Sequence, residues 1–343
     1  MSPILQSLAN GSARGFRSFV AGSPPPAISV AHTTSPYLTA YPWSSGFGTK
    51  YSNPATLPGS NGKGVAFKPQ GDAIAQTNPS NGIIAYPWSS GFGTKYSDPA
   101  TLPSGGGYGV EFKPQGDAIA VSSYSSPFIT AYPWSSGFGT KYSDPATLPG
   151  GIGYGMAFKP QGDAIAVAHF GGSRITAYPW SSGFGTKYSN PATTPAGHGY
   201  GVAFKPEGDA IAVASQQSPF INAYPWSSGF GTKYSDPATL PTGAGRGVAF
   251  RPQGDAIAVA HATSPFITAY PWSSGFGTKY SNPATLPAST GRGVAFRPLG
   301  DAIAVAHSSS PFITAYPWSS GFGTKYSNPA TLPTGDGFAV AFL

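Results

Sequence analysis

The chain contains no cysteine, which excludes disulfides, thiolate metal sites and cysteine nucleophiles and leaves the redox compartment open. Charge is scarce: Asp, Glu, Lys and Arg make up 9% of 343 residues. That argues against a helix-rich protein with ion-paired surfaces and against a charged disordered tail. No apolar run reaches the ~18 residues of a membrane-crossing helix, so no membrane association is expected. The N-terminal residues lack a basic start followed by an apolar stretch, so no signal peptide is expected. What is abundant is Gly and Pro, 47 and 37 residues, just short of a low-complexity composition. A hydrophobic share of 40%, with 14% aromatic, is enough to build a core. The net charge of +7 gives a mild attraction to anionic partners.

The tryptophans reveal a repeat. Trp43, Trp88, Trp134, Trp180, Trp226, Trp272 and Trp318 are spaced by 45 residues once and by 46 thereafter. Each lies in the block AYPWSSGFGTKYS, unchanged seven times, followed by Asn-Pro or Asp-Pro and then ATLP, with one change at Thr194. A Gly-rich loop, GVAF, a Lys-Pro or Arg-Pro and QGDAIAVA complete the unit. Each unit reads as four short strands. In one unit these are 247–250, 256–260 after a Pro-Gln-Gly-Asp turn, 266–270, and a weaker outer strand at 278–286 interrupted by Asn282-Pro283. No segment sustains a 3.6-residue period, so almost no helix is expected. Four strands in a unit of this length predict an all-β, seven-bladed β-propeller of four-stranded antiparallel blades.

The stretch GVAFRPQGDAIAVAHATSPFITAYPW resembles a WD-repeat blade. FRPQGDAIAVA matches that family's phenylalanine, proline, turn and small apolar strand, and FITAYPW stands where the family has its Ile-x-x-Trp-Asp strand. The resemblance spans residues 27–343. No blade opens with Gly-His, and Tyr-Pro-Trp-Ser replaces the Trp-Asp pair, so the WD hydrogen-bond network is not carried over. The block YPWSSGFGTKYSNPATLP also resembles repetitive propeller proteins of phages and environmental genomes.

PTGDGFAVAFL at 333–343 copies the first strand of a unit, whereas the first unit begins at Ala27 with its second strand. The ring is therefore expected to close through the C-terminal strand. Residues 1–26 form a non-repeat N-terminal extension, available for assembly, with 27–343 as the propeller. Ser23-Pro24-Pro25-Pro26 reads as a stiff linker, and 16–19 as a degenerate strand competing for the closing position.

The candidate sites are few. WSSGFGTKY lacks Walker spacing, and packing explains its sevenfold recurrence. The cations at 68, 113, 159, 205, 251 and 297 each precede an Asp by four residues and are expected to pair with it. His32, His169, His261 and His307 share one repeat position, replaced by Asn78, Ser123 and Ser215 elsewhere. They sit in separate blades without metal-ligand spacing, so a loop hydrogen bond is expected and neither metal nor cofactor. Glu111 is the one acid in a GVAF strand, a poor glycosidase without a partner and expected to face a water-filled channel. No nucleophile elbow and no nucleic-acid module occurs.

Differences between the copies concentrate in the loop before the first strand and the loop after the second, which share one end of the molecule. Within the first loop, a Gly-x-Gly places one side chain per blade at the channel mouth: Lys63, Tyr108, Tyr154, Tyr200, Arg246, Arg292 and, in GFAVAF, Phe338. Three cations, four aromatics and no acid make this the candidate ligand-binding ring, suited to an anionic or glycan-like partner. With no catalytic residue identified, the sequence favours a non-catalytic binding or structural module, at a virion surface or otherwise extracellular. It would present the variable face to a protein or glycan. The alternative is a propeller enzyme of glycosidase or lyase type with its site at the central channel.

Overall fold

A computed structural model describes residues 24–343. Residues 1–23 of the extension, including the segment 16–19 expected as a degenerate strand, lie outside the described residues. The elements are β1 (Ala27–His32) and β2 (Leu38–Pro42), then β3 (Gly64–Phe67), β4 (Ala73–Asn78) and β5 (Gly82–Pro87), and β6 (Gly107–Phe112), β7 (Ala118–Ser123) and β8 (Ile129–Pro133). There follow β9 (Gly153–Phe158), β10 (Ala164–His169) and β11 (Ile175–Pro179), then β12 (Gly199–Phe204), β13 (Ala210–Ser215) and β14 (Ile221–Pro225). The last are β15 (Gly245–Phe250), β16 (Ala256–His261), β17 (Ile267–Pro271), β18 (Gly291–Phe296), β19 (Ala302–His307), β20 (Ile313–Pro317) and β21 (Gly337–Phe342). They form seven antiparallel sheets of three strands, and no helix forms among the described residues. The fold is an all-β propeller. β21 pairs with β1, Val340 opposite Val30, and completes the sheet β2–β1–β21.

The expected fourth strand is corrected. The segment 278–286 is held to β17 by a backbone bond from Tyr280 N–H to the Ala269 carbonyl, and Trp272 and Phe276 form an isolated bridge. Pro283 and Pro287 lack the N–H a ladder needs, so the segment runs as an irregular outer strap.

The second strands alternate Ala with Ile or Val, with Ser29, Gln76, Thr77 and Ser122 as exceptions, so one face of the sheet is small and the other large. The small face of one blade packs on the large face of the next: Ala164, Ala166 and Ala168 of β10 meet Ile211 and Val213 of β13 and Val202 and Phe204 of β12. The same contact joins first and last sheets, with Ala302, Ala304 and Ala306 against Ile28, Val30 and Val340. At the periphery Trp180 meets Phe184 at 5.0 Å, Phe158 at 5.1 Å and Tyr142 of the preceding strap at 5.3 Å, all edge-to-face. Beside it, Tyr178 donates its hydroxyl to the Thr147 carbonyl at 2.8 Å, and the six other blades repeat that bond. The QGD turns are uniform. Gly162 adopts φ +75°, the Lys or Arg of each turn pairs with its Asp, and Gln115 donates to the Gln161 carbonyl of the next blade at 3.1 Å.

The four histidines end their second strands and are fully buried inside their blades. His261 Nε2 lies 2.9 Å from Thr268 Oγ1 on the third strand, and burial pushes all four imidazoles down to about 4. In β13, Ser215 replaces His and Asn222 replaces Thr, restoring a 3.0 Å bond with Asn222 as donor.

Two outcomes follow from this packing. Trp180→Ala should lose ~3–5 kcal/mol of unfolding free energy, and Tyr178→Phe, which strands one carbonyl, ~1–2 kcal/mol. Denaturant titration measures both, and equal effects would contradict the aromatic cluster as the stronger contact. An unfolded histidine titrates near ~6.5, so acid favours the unfolded chain. The histidine contribution is complete above that pH and is lost as pH falls toward about 4. The melting temperature should drop through that window. The pair His261→Ser and Thr268→Asn, copied from β13, should remove one blade's share of the drop.

Candidate functional site

The inner strands carry the variable positions. In Gly-x-Gly both glycines are forced by neighbouring backbone. A Cβ on Gly155 would sit 2.6 Å from the Tyr200 carbonyl of the next blade, and one on Gly153 2.4 Å from the Phe128 carbonyl of the previous blade. The close approach that these glycines permit is therefore to adjacent blades, not to a ligand. The residue between them is left half-buried and free to vary. Lys63, Tyr108, Tyr154, Tyr200, Arg246, Arg292 and Phe338 all line one cavity of about 630 Å³ on the channel axis.

The cavity has two chemically distinct arcs. Along one, Tyr108 and Tyr154 stand edge-to-face at 5.2 Å, and Tyr154 and Tyr200 lie tilted at 5.0 Å. Burial, and after it neighbouring tyrosines, raise the phenols of Tyr108 and Tyr154. Along the other, the Lys63 ammonium sits 3.7 Å from the Phe338 ring centre, the Arg292 guanidinium 4.1 Å from the same ring, and Arg246 4.4 Å from the Tyr200 ring. Burial lowers Lys63, with Arg292 adding to the effect, and burial lowers Arg292. An acid missing from the sequence reading stands here: Asp336 pairs with Arg292 at 3.1 Å. TGDGF is the one pre-strand loop that contains a carboxylate, which is the signal that could have found it. Lys63 and Arg246 form no ion pair among the described residues.

Glu111 follows the cavity-lining Val110 on β6 and shares a strand face with Gly109. A Cβ on Gly109 would meet the Tyr154 carbonyl at 2.8 Å, so that face turns toward β9. The six other blades have Ala at this position. Glu111 is half-buried, makes no hydrogen bond or ion pair among the described residues, and is pushed up to about 8 by burial. Among the described residues no group of three or more His, Cys, Asp or Glu is placed to hold a metal ion, and no helix is long and apolar enough to cross a membrane.

No family model matches the sequence, and no curated protein matches it as a relative. Solved structures do match. A provisionally named 6-phosphogluconolactonase from Bacteroides uniformis has 14% identity and a TM-score of 0.71 over 93% of this chain and 99% of its own. A protein from Lactobacillus plantarum has 14% identity and a TM-score of 0.73 over the same shares. The periplasmic gluconolactonase of Pseudomonas aeruginosa has 13% identity and a TM-score of 0.69, again over 93% and 99%. At such identities the likeness establishes the fold. These matches carry neither a WD-repeat nor a phage name.

The names correct two expectations. The non-catalytic module, and with it the reading that the chain is not an enzyme, gives way to the alternative of a propeller enzyme, because lactonases stand among the matched structures. The sequence reading weighed an enzyme only by convergent acids and metal ligands and gave no weight to a cationic cavity.

Glu111 carries a testable consequence for stability. The folded chain holds its proton up to about pH 8, whereas the unfolded chain releases it near the ordinary carboxylate value, so this group destabilises the fold as pH rises between the two. Glu111→Ala, which copies the other blades, should raise stability by on the order of 2 kcal/mol at neutral pH and by less near pH ~5. Thermal melts at both pH values measure this. An unchanged or lowered melting temperature would show that the carboxyl is not desolvated.

Proposed function

We propose that the chain is a propeller enzyme whose site is the central cavity and whose substrate is a small sugar-derived ring that carries or develops negative charge, an aldonolactone above all. The observation that carries this reading is the division of one cavity into a tyrosine arc and a cationic arc, in a ring whose blades are otherwise almost uniform. Its volume of about 630 Å³ falls in the ~300–1,000 Å³ range of small-molecule sites. Tyrosine rings suit the C–H faces of a sugar, and the cations suit charge.

Attack of water on a lactone carbonyl places negative charge on the carbonyl oxygen, and ring opening leaves a carboxylate. Lys63 and Arg246, without ion-pair partners among the described residues, would stabilise both species, while Arg292 is held in place by Asp336. Glu111 lies outside the cavity lining, on the strand face turned toward β9, and takes no part in this reading. The names of the structural neighbours support the same chemistry. The variable loops surround the entrance, so the glycan-like partner expected on that face becomes the substrate. The WD-like strand–turn–strand belongs to this reading as a likeness of blade design, supported by the inner-strand Phe250 that packs on Trp272.

The test is acid release, followed by pH-stat, from glucono-lactone and 6-phosphogluconolactone, corrected for spontaneous opening. The wild type should accelerate at least one of them. Arg246→Ala should lower kcat/KM roughly 100-fold, the order seen when one oxyanion donor is removed. A preference for the phosphorylated lactone would assign a cation to the phosphate. No acceleration with either lactone would overturn the reading.

A further inference from the structure

The tyrosine arc does not end at the cavity. From Tyr200 the aromatic contacts continue to His198 at 6.2 Å and from His198 to Phe170, stacked at 4.1 Å with planes 24° apart. Phe170 lies on the variable face and is 45% exposed, and on the adjoining blade Tyr124 is 54% exposed. Both occupy the position just after the second strand, where the other blades carry Thr33, Pro79, Gln216, Ala262 and Ser308. Backbone bonds fix this position over the ring. Phe170 N–H donates to the Ile152 carbonyl and Tyr124 N–H to the Gly106 carbonyl, each 2.9 Å long and each two residues before a ring tyrosine. Large exposed aromatics thus occur at this position in two adjacent blades, both of which contribute a tyrosine to the cavity. The cationic side has Ala262 and Ser308 there.

Resting on the lactonase reading, we infer that the substrate is the sugar-acid or lactone end of a longer oligosaccharide, whose following sugar rings lie across Phe170 and Tyr124 outside the cavity. A single ring would be served by the three tyrosines within. Two further exposed aromatics, Phe170 joined to the arc through His198 and Tyr124 on the adjoining blade, extend the surface outward on the side away from Lys63, Arg246 and Arg292. The terminal unit would place its charge on the cationic arc, and the chain would leave over the aromatic rim.

The probes are stable product acids of increasing length: gluconate, maltobionate and maltotrionate, titrated calorimetrically into wild type and variants. Phe170→Ala and Tyr124→Ser install residues that other blades already carry at this position, so the fold is expected to persist, and a melt checks it. Maltobionate should bind roughly tenfold tighter than gluconate, the order of one aromatic stacking contact. The double variant should abolish that gain and leave gluconate affinity unchanged. Equal affinity for all three acids would overturn the inference, and so would a length effect that survives the double variant. In either case gluconate binding that is lost in Arg246→Ala would leave the cavity reading standing. Absence of gluconate binding in the wild type would remove both.

Discussion

The fold depends on one contact made seven times, the small face of a blade against the large face of the next. Ala164, Ala166 and Ala168 can lie close to Ile211 and Val213 because a methyl leaves room for a branched side chain. The contact is directional, since each sheet needs a small-faced neighbour on one side and a large-faced neighbour on the other. First and last sheets satisfy it with Ala302, Ala304 and Ala306 on Ile28, Val30 and Val340. A chain built this way has little freedom to vary its sheets, because every residue on a blade face belongs to two blades at once. The aromatic straps extend the rule outward: Tyr142 of one strap supports Trp180 of the next blade, and the Tyr178 hydroxyl holds the Thr147 carbonyl.

Freedom to vary is greatest at positions outside the small-on-large sheet contact. The middle residue of Gly-x-Gly is one, since both glycines are occupied by adjacent backbone and its own side chain points to the axis. The residue after the second strand is another. Lys63, the three tyrosines, the two arginines, Phe338, Tyr124 and Phe170 all stand at such positions. Variation is therefore concentrated where the sheet contact imposes least, and in a repetitive chain that separation is visible in the sequence itself.

This is why the ring was legible in advance and other features were not. Tryptophan spacing revealed the seven blades, and comparison of seven copies isolated the ring positions. The fourth strand was overread because its length and hydrophobic content resemble a strand, while Pro283 and Pro287 deny it the N–H groups of a ladder. The histidines end a strand in the sequence, but their contact with the threonine of the third strand, seven residues on, crosses between strands and is not visible from position alone. Asp336 and the stack from Tyr200 through His198 to Phe170 join residues of different repeats, and no pattern within one unit encodes them. A count of acids and metal ligands gives no weight to a cavity whose charge is positive, so the cationic arc did not enter the weighing of an enzyme against a binding module.

The cationic arc also shapes the electrostatics of the cavity. Lys63, Arg246 and Arg292 share one half of a partly desolvated space, and Asp336 balances one of them. Burial and mutual repulsion already disfavour the charged form of Lys63, and aromatic faces at 3.7 to 4.4 Å offer the three cations partial compensation. On the function proposed above, an anion in the cavity would relieve that repulsion, and the strands that carry the cations are fixed by the blade contacts on either side. The rigid packing that makes the blades uniform is thus also what keeps the positive charges close together in the absence of a ligand. Stabilisation of an oxyanion by groups held in advance requires that condition.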